Sequence, residues 1–330
     1  MKKGIAIAGN ILTDNVKVVE VFPERGMLAT IKSETLAVGG CVPNTAIDIK
    51  KLDQSLPVKV YGRVGNDYKG EYVVGQMQGV GLDVSGVKVS TTAPTSYSDV
   101  ITVESTGERT FFHNRGANAE FTGADVDVDG LDCDIFHAGY IMLLDAMDAV
   151  DENGRTGMSK LLESVRAKGI KTSVDLVSES SGNFNKVVKS ALPFCDYVII
   201  NEVEAGAIAG ISPRTDGGKI SETAVKEIMQ AIMCLGVKEK VIVHCPEKGF
   251  ALDKSGKFSI KDSIKLKDGF IKGSVGAGDA FCAGALYSLY NGFDDEYMLE
   301  FSNLGAINCL SEKDSVSGVV SADRLKDVLA

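Results

Sequence analysis

One stretch decides how this chain is organised: Lys272-Gly273-Ser274-Val275-Gly276-Ala277-Gly278-Asp279-Ala280-Phe281, late in its 330 residues. Three glycines within six residues offer almost no side chain for packing, so they predict a backbone that brings its N–H groups close to a ligand. The apolar run Ala280–Tyr290 that follows predicts a buried helix. The glycines are therefore expected at a helix N-terminus, where unpaired N–H groups and the helix dipole favour an anion.

Asp279 falls in the first turn of that predicted helix. Asp is a common helix cap, and this is the simplest interpretation of the residue alone. A cap needs no glycines in front of it, however, and a carboxylate beside an anion site suits phosphoryl transfer. The N–H groups would stabilise charge on the phosphoryl group while the carboxylate accepts the proton of the attacking hydroxyl. We therefore expect a kinase, with the cap as the alternative.

Composition excludes several classes of protein. The net charge of −10 argues against a nucleic-acid partner, and no apolar run is long enough to span a bilayer. Seven scattered cysteines without a C-x-x-C pair predict thiols in a reducing cytoplasm, and the first apolar segment is too short for a signal peptide. We expect a cytoplasmic protein without a His or Cys metal site, whereas an oxygen-bound Mg²⁺ remains open.

Strand-like and helix-like segments alternate along most of the chain. This alternation predicts an α/β fold with a central, mostly parallel sheet and helices on both faces. Ligands in such a fold bind beyond the carboxyl ends of the strands. The predicted strands are Ile5–Ala8, Val58–Val64, Ile135–Ala138, Thr172–Leu176, Tyr197–Ile200 and Val241–His244; the predicted helices are Thr45–Leu52, Glu71–Val80, Gly157–Ala167, Ala224–Leu235, Ala280–Tyr290 and Tyr297–Leu310.

Two regions interrupt the alternation. Val16–Val38 and Val87–His113 have period-two, β-rich sequence, and the second contains a predicted hairpin that turns at Thr106-Gly107. Each follows a strand of the main sheet, so we expect a small β-sheet lid over the ligand edge. The alternative is a pair of hairpins packed elsewhere. We expect one domain over residues 1–330, with lid strands from about 11–38 and 88–118.

Five motifs in order resemble those of the ribokinase-like carbohydrate kinases, the PfkB family. The two signatures of that family are similar to Gly39-Gly40-Cys41-Val42-Pro43-Asn44-Thr45-Ala46 and to Gly273–Phe281. Supporting matches are Gly62-Arg63-Val64-Gly65-Asn66-Asp67-Tyr68-Lys69-Gly70, Gly107-Glu108-Arg109-Thr110-Phe111 with Gly116-Ala117-Asn118, and Asn201-Glu202-Val203-Glu204. The resemblance runs from Gly4 to about Val316 and implies a ribokinase-like fold with ATP-dependent phosphorylation of a sugar or nucleoside hydroxyl.

The resemblance also implies roles for individual residues. Asp279 corresponds to the general base, and Gly276, Ala277 and Gly278 correspond to the anion hole. The residues implied to bind ATP are Asn201, Glu204, His244, Gly249, Gly276 and Gly278. Glu204 would hold Mg²⁺, through water, although Asn201 and Glu204 are also comfortable as the end of a strand and the start of a helix.

The implied substrate ligands lie near the first strand and the first signature: Asn10, Asp14, Gly39, Gly40 and Asn44. Asp14 resembles the sugar-binding aspartate of the family. The glycines and Asn44 would let the backbone approach a polyol and hydrogen-bond it. Weaker candidates in the lid are Tyr97, Phe112 and Asn114, because hairpin aromatics usually belong to a core.

Three departures from the family pattern bear on function. Gly273 and Ser274 replace the common Asp-Thr pair, which leaves activation by K⁺ uncertain because that Asp commonly helps to form a monovalent-cation site. Pro246 follows His244-Cys245 and removes a backbone donor from the nucleotide side. Where the phosphosugar-specific members carry a Lys, in Gly-Gly-Lys-Gly, this chain has Cys41-Val42, so an unphosphorylated substrate is expected.

Our first hypothesis is a kinase of a free sugar or sugar acid. A nucleoside kinase of the same fold and a non-catalytic sugar- or nucleotide-binding regulator are the alternatives, although a binding module would need no base at position 279. The chain lacks the G-x-G-x-x-G fingerprint of dehydrogenases after its first strand, the P-loop and the G-x-S-x-G elbow. Because family lids often pair, a homodimer through the lid is a further hypothesis.

Overall fold

The structure is a computed structural model that describes residues 2–177 and 183–329. The strands in this part of the chain are β1 (Ile5–Gly9), β2 (Leu12–Val19), β3 (Ile31–Gly39), β4 (Val58–Gly65), β5 (Asp83–Ser90), β6 (Ser96–Val103), β7 (Arg109–Asn114), β8 (Ile135–Ile141), β9 (Lys171–Leu176), β10 (Tyr197–Asn201), β11 (Lys240–His244), β12 (Lys248–Asp253) and β13 (Phe258–Asp262). The helices are α1 (Cys41–Leu52), α2 (Tyr68–Gly79), α3 (Asp145–Asp148), α4 (Gly157–Ala167), α5 (Phe184–Ala191), α6 (Glu202–Ala209), α7 (Glu222–Cys234), α8 (Ala277–Asn291) and α9 (Asp295–Leu310).

Within those described stretches, nine strands form the main sheet in the order β13-β12-β11-β10-β9-β8-β1-β4-β5. Neighbouring strands pair in parallel along the series β11-β10-β9-β8-β1-β4-β5, while β12 and β13 add an antiparallel edge. Every residue of β1 is buried, as expected for a strand that is covered by helices on both faces. The predicted α/β fold with a mostly parallel sheet is confirmed. None of the described helices is both long and apolar enough to cross a membrane.

One boundary differs from the prediction. Val87–Ser90 was assigned to the lid, but these residues end β5, which pairs with β4 at the edge of the main sheet. An edge strand is partly exposed, so polar residues interrupt the apolar ones in β5 as they do in a lid strand.

Four strands form the second sheet in the order β3-β2-β6-β7. β2 follows β1 directly, and β3 leads into α1. The segment β2–β3 therefore leaves the main part of the fold after β1 and returns to it at α1. β6 and β7 form the predicted hairpin, and Gly107 turns the chain with a φ of +70°. The separate small sheet in the predicted fold is confirmed.

The register of the small sheet decides which residues share a face. Asp14 lies opposite Ser98, and Val16 lies opposite Val100, which in turn pairs with Phe111. We call the face that carries these residues the inner face. Val16 and Val100 line a cavity together with Val275 and Ser315, so the inner face is the one turned toward the loop before α8 and the loop after α9.

α1 and α8 position the central residues of the site. The two helices pack side by side, and both begin at the end of a glycine pair or run, α1 after Gly40 and α8 after Gly276. α8 is apolar and almost completely buried over its first ten residues, which fixes its N-terminus against the main sheet. The start of α8 is therefore held by core packing rather than by a flexible loop.

Candidate active site

Asp279 lies in the first turn of α8. Its side chain is buried, with 5% of its surface exposed. The Tyr140 hydroxyl donates to Asp279 Oδ1 at 2.5 Å, and Asn44 Nδ2 donates to Oδ2 at 2.9 Å. The carboxylate is therefore bonded to side chains from β8 and α1, and the interpretation of Asp279 as a mere helix cap does not describe this geometry.

Two opposing effects set the pKa of Asp279. Burial raises the pKa of this carboxyl to about 6, because a carboxylate removed from water is harder to ionise. The hydrogen bonds from Tyr140 and Asn44 favour the ionised form and limit the rise. At pH 7 the group is mostly ionised yet more basic than a free aspartate, which is the condition that general-base catalysis requires.

The glycine loop, residues Gly273–Gly278, precedes this carboxylate. Gly276 is the N-cap of α8 and has a φ of +83°, a conformation that glycine adopts without strain. It supplies no side-chain acceptor, so the N–H groups of Ala277 and Gly278 point out of the helix start toward any bound anion. A Cβ at Gly276 would lie 2.6 Å from Ser315 Cα, so the position admits only glycine.

Asn44 joins three segments around the base. Its amide donates to Asp279, and its Oδ1 accepts a hydrogen bond from Ser315 Oγ at 2.8 Å. The side chain is 3% exposed. Asn44 was predicted as a substrate ligand; the structure places it in contact with Asp279, where it fixes the orientation of the carboxylate.

Tyr140 was missed in the sequence, and the structure gives Asn10 a part in holding it. Asn10 is fully buried; its Nδ2 donates to the Leu143 carbonyl at 3.1 Å, and its Oδ1 accepts from the Tyr140 backbone N–H. Both ends of this amide thus bond to the end of β8 and the residues just after it, so Asn10 supports Tyr140, and its contact with substrate stays a prediction. The signal for Tyr140 was a polar side chain at the end of a buried strand.

On one side of the glycine loop, a cavity separates it from the inner face. We call it the inner cavity; it is lined by Asp14, Val16, Ala37, Val38, Val100, Arg109, Val275, Lys313, Asp314 and Ser315. Asp14 is half-buried and has no hydrogen-bond partner among the described residues. Burial, together with the negative charge of Asp279, raises the pKa of Asp14 to about 7. This carboxyl is available to bind a hydroxyl group.

Gly39 and Gly40 make room for that carboxyl. A Cβ at Gly39 would lie 2.5 Å from Asp14 Oδ2, and a Cβ at Gly40 would lie 2.7 Å from the Asn10 carbonyl oxygen. Gly40 also has a φ of +90°. The paired glycines therefore allow the turn from β3 into α1 to pass close to β2, which is a packing role in addition to the predicted approach to substrate.

The three weaker lid candidates lie on the face of the small sheet that is turned away from the inner cavity. Tyr97 pairs with Asn114, and Phe112 pairs with Asp99, all one residue out of step with Val100. The Lys69 Nζ lies 3.5 Å from the centre of the Tyr97 ring, so this ring packs on α2. The alternation of side chains along β6 and β7 therefore directs all three away from the inner cavity.

On the other side of the glycine loop lies an apolar cleft of about 470 Å³. We call it the outer cleft; its lining residues are Asn201, Glu202, Val203, His244, Cys245, Pro246, Ser263, Ile271, Ser274, Ala277, Gly278, Phe281, Asn303, Ala306, Ile307 and Leu310. Ala277 and Gly278 line this cleft, whereas Val275 lines the inner cavity. The glycine loop is therefore the wall shared by two pockets.

His244 lines the outer cleft, whereas Gly249 is packed inside β12. The His244 ring lies 4.7 Å from the Phe281 ring, and burial lowers the pKa of this histidine to about 4. His244 is thus a neutral hydrogen-bonding group beside Gly278 in the outer cleft. Gly249, predicted to bind ATP, is instead buried in β12, where a Cβ would lie 3.2 Å from Leu299 and 3.4 Å from Phe281. Its small size serves the packing of α9.

Asn201 and Glu204 form a reciprocal cap at the start of α6. The Asn201 side chain accepts from the Glu204 N–H at 2.9 Å, and the Glu204 side chain accepts from the Asn201 N–H at 3.1 Å. Asn201 also lines the outer cleft, and Glu204 is 4% exposed. The capping interpretation is therefore confirmed. It does not explain why the Glu204 carboxylate is buried at the edge of the sheet where ligands bind.

Asp175, near the end of β9, is a further residue that the sequence analysis missed, and it is acidic. Burial and the negative charges of Glu204 and Asp279 hold the pKa of Asp175 well above its usual range. In residues 2–177 and 183–329 no three His, Cys, Asp or Glu side chains converge closely enough to ligate one metal.

Comparisons with known proteins agree with this geometry. Residues 2–319 match the pfkB family carbohydrate kinases. A ribokinase of Arabidopsis thaliana is 24% identical over 94% of this chain and 77% of its own length, and a 5-dehydro-2-deoxygluconokinase of Clostridium perfringens is 23% identical over 88% and 83%. The structure of Arabidopsis thaliana ribokinase complexed with ribose and ATP superposes with a TM-score of 0.82 at 20% identity, covering 100% of this chain and 99% of that one.

The family match spans nearly the whole chain and includes both pockets and the wall between them. The predicted resemblance is thus confirmed, and so is the class of enzyme. The chain belongs to the pfkB family of carbohydrate kinases and is a phosphotransferase with an alcohol group as acceptor.

Proposed function

We propose that this enzyme transfers the γ-phosphate of ATP to a hydroxyl of an unphosphorylated sugar or sugar acid, with Asp279 as general base. One observation carries the proposal. The glycine loop contributes Val275 to the inner cavity and Ala277 and Gly278 to the outer cleft, and Asp279 follows directly in the first turn of α8. A sugar in the first pocket and a nucleotide in the second would meet at this wall.

Each part of the proposed reaction is assigned to particular residues of this chain. Asp14 would hold the sugar by a hydroxyl, and Asp279 would accept the proton of the attacking hydroxyl. The N–H groups of Gly276, Ala277 and Gly278 would stabilise the charge on the phosphoryl group during transfer. Tyr140 and Asn44 keep the carboxylate oriented, since each donates to one of its oxygens.

The outer cleft fits a nucleotide. Its walls of Ile271, Ala306 and Ile307 would cover an adenine ring, and its polar end contains Asn201 and His244. Because the pKa of His244 is about 4, this ring would bind a phosphate as a neutral hydrogen-bond partner and not as a cation. Glu204 and Asp175 would hold Mg²⁺ through its waters, and the ion would neutralise charge on the phosphates.

A sugar is favoured over a nucleoside by the lining of the inner cavity. The described residues that line it include no aromatic side chain on which a base could stack. The names of the two curated relatives, a ribokinase and a 5-dehydro-2-deoxygluconokinase, point the same way. A non-catalytic regulator is disfavoured because a binding module would not need a buried carboxylate with a pKa of about 6.

Potassium activation is not part of the proposal. A Cβ at Gly273 would lie 2.8 Å from the Glu312 carbonyl oxygen and 2.9 Å from that of Lys313. The backbone of this loop therefore occupies the space that an aspartate side chain at position 273 would need. We infer that the enzyme works without a monovalent cation at this position.

We also keep the homodimer through the lid as a proposal. Met27 and Leu28, in the connection between β2 and β3, are 69% and 88% exposed, and β3 and β7 are unpaired edges of the small sheet among the described residues. Exposed apolar residues beside free strand edges are typical of a surface that pairs with another chain. Light scattering tests the proposal, and a monomer at working concentration would refute it.

The test of the proposed function is release of ADP from Mg²⁺-ATP in the presence of sugars, sugar acids and nucleosides. We expect turnover with one sugar or sugar acid and none with adenosine, inosine, cytidine or pseudouridine. Turnover with a nucleoside alone would support the alternative kinase. No ADP release with any compound, from protein shown to be folded, would favour the non-catalytic regulator.

A further inference from the structure

The C-terminal end of α9 is bonded to the glycine loop at two points. The Lys272 N–H, just before the loop, donates to the Leu310 carbonyl at 2.9 Å. Three residues further along, the Val275 carbonyl accepts from the Cys309 thiol, with an Sγ···O distance of 3.3 Å. Cys309 and Leu310 are the last two residues of α9. The end of one helix therefore holds both the beginning and the middle of the glycine loop.

The same thiol also reaches the loop after α9. Cys309 Sγ lies 3.4 Å from the Ser315 carbonyl oxygen, so one S–H group faces carbonyl oxygens from two loops. Within the described ranges these two oxygens accept no other hydrogen bond from the protein. Burial, together with nearby carboxylates such as Asp48, raises the pKa of the Cys309 thiol. The sulfur therefore keeps its proton and acts as a hydrogen-bond donor.

Peptide geometry connects this contact with the proposed anion hole. The Val275 carbonyl and the Gly276 N–H belong to one planar trans peptide, so they point in opposite directions. Because the carbonyl is directed at Cys309, the Gly276 N–H is directed away from the sulfur. Cys309 is fully buried, so that direction leads out of the core. The thiol therefore determines where the first N–H donor of the anion hole points.

Ser315 extends the same connection to the candidate base. Its Oγ donates to Asn44 Oδ1 at 2.8 Å, and Asn44 in turn donates to Asp279. A Cβ on Gly276 would lie 2.4 Å from the Ser315 carbonyl oxygen, so the two loops are in close backbone contact. Cys309 thus bonds both to the loop that carries the N–H donors and to the residue that supports Asn44.

We propose that Cys309 is a positioning residue for phosphoryl transfer, and that its thiol holds the Val275–Gly276 peptide in the orientation that presents the Gly276 N–H to the transferred phosphoryl group. This inference rests on the proposed function, since it takes the glycine loop as the anion hole. Cys309 has no exposed surface, so it acts on turnover only through the backbone to which it is bonded.

The experiment compares two matched pairs of variants. Cys309→Ala removes the donor, whereas Cys309→Ser replaces it with a hydroxyl that still donates. Cys195→Ala and Cys195→Ser are the controls, because Cys195 is equally buried, its Sγ also donates to a backbone carbonyl, that of Ala191 at 3.3 Å, and it lies before β10 begins, away from the carboxyl edge of the sheet. The readouts are kcat and both KM values from ADP release, Tm, and the rise in Tm with MgADP and aluminium fluoride, a mimic of the phosphoryl group in transfer, beyond that with MgADP alone.

We expect Cys309→Ala to lower kcat by about ten- to a hundredfold, because an anion-hole donor displaced by about 1 Å loses most of its effect in the transition state. Both KM values should change by less than about threefold. The extra rise in Tm with aluminium fluoride should shrink in the same variant. Cys309→Ser should recover most of the kcat and of this rise. The Cys195 variants should lose a similar amount of Tm but keep kcat and the response to aluminium fluoride.

Natural kcat in a folded Cys309→Ala protein would overturn the inference while leaving the kinase intact, and so would an equal loss of kcat in Cys195→Ala or a loss confined to KM. If Cys309→Ala does not fold, Cys309→Val, which fills the space without a donor, replaces it with the same expectations.

If the natural protein released no ADP with any compound, the proposed function would fail, but the Tm readout would still decide the inference. An extra rise with aluminium fluoride that shrinks in Cys309→Ala and returns in Cys309→Ser would support the positioning role. A rise that is absent, or equal in all the variants, would overturn it.

Discussion

The two pockets that share the glycine loop are built in opposite ways. The outer cleft is formed by one edge of the main sheet with α8 and α9, and most of its lining is apolar. The inner cavity combines the glycine loop, the small sheet and the loop after α9, and four of its ten lining residues are ionisable. The outer cleft is thus built largely from the main sheet and its helices, whereas the inner cavity exists only where three distant segments meet.

This difference predicts how each pocket controls binding. An apolar cleft discriminates by shape and tolerates similar ligands, since a lost methylene costs little. A cavity with buried carboxyls discriminates strongly, because an acceptor without the matching hydroxyl leaves Asp14 unpaired. The acceptor side should therefore determine the specificity of the enzyme, and the variants below separate the two sides.

The largest effect is expected from substitution of Asp279. Asp279→Asn removes the proton acceptor and should lower kcat by about a thousandfold or more, with KM values for both substrates little changed. Steady-state ADP release measures this. Asp268→Asn, at an exposed turn, is the matched control and should turn over normally. Near-natural kcat in a folded Asp279→Asn protein would remove this residue as the base.

On the acceptor side, Asp14→Ala should lower kcat/KM for the sugar substrate by about a hundredfold, because a bound hydroxyl loses a hydrogen bond to a charged group. The KM for ATP should change little, since Asp14 does not line the outer cleft. Separate titrations of the two substrates check this. Equal weakening of both substrates would mean that the two pockets are not independent.

On the nucleotide side, Ala306→Phe should raise the KM for ATP by about tenfold, because the larger ring fills the outer cleft that Ala306 lines. The KM for the sugar should stay the same. Ala306→Ser, which adds one atom, is the control, and thermal unfolding shows whether either protein is destabilised. An unchanged KM for ATP in Ala306→Phe would place the nucleotide elsewhere.

The pH dependence of kcat tests the proposed role of Asp279. Asp279 acts as a base only when ionised, so kcat should rise as pH increases through about 6, the pKa of this carboxyl. Tyr140→Phe removes a donor that stabilises the carboxylate, so the pKa of Asp279 should rise and the acid limb of the pH profile should move to higher pH. An acid limb that does not move would separate Tyr140 from the base.

The smallest effect is expected from monovalent cations. Because the Glu312–Lys313 backbone fills the space beside Gly273, turnover should be the same in potassium, sodium and choline salts at equal ionic strength. The comparison needs saturating Mg²⁺-ATP and sugar. Activation specific to potassium would show that another part of the glycine loop binds the ion.

The sequence predicted the core of the site and the fold because both depend on short-range patterns. The glycine loop and Asp279 are contiguous, and the alternation of strands and helices is local. Tyr140 and Asp175 were missed because each is a single polar residue near the end of a buried strand, and no spacing connects it to position 279. The packing of Asn10 against Tyr140 and of Gly249 against α9 could not be predicted, because a motif match carries no information on tertiary contacts.

The sequence by itself determined the class of fold and gave the predicted anion site at the start of α8 and the identity of the candidate base. Only the tertiary structure decided which alternate residues of the lid face inward, so that Val16 and Val100 share the inner face with Asp14, whereas Tyr97, Phe112 and Asn114 lie on the other face. The physical reason is that side chains on a strand alternate strictly, and one residue of register exchanges the two faces. Local chemistry can be deduced from neighbours in sequence, but the partners of a charge are chosen by packing.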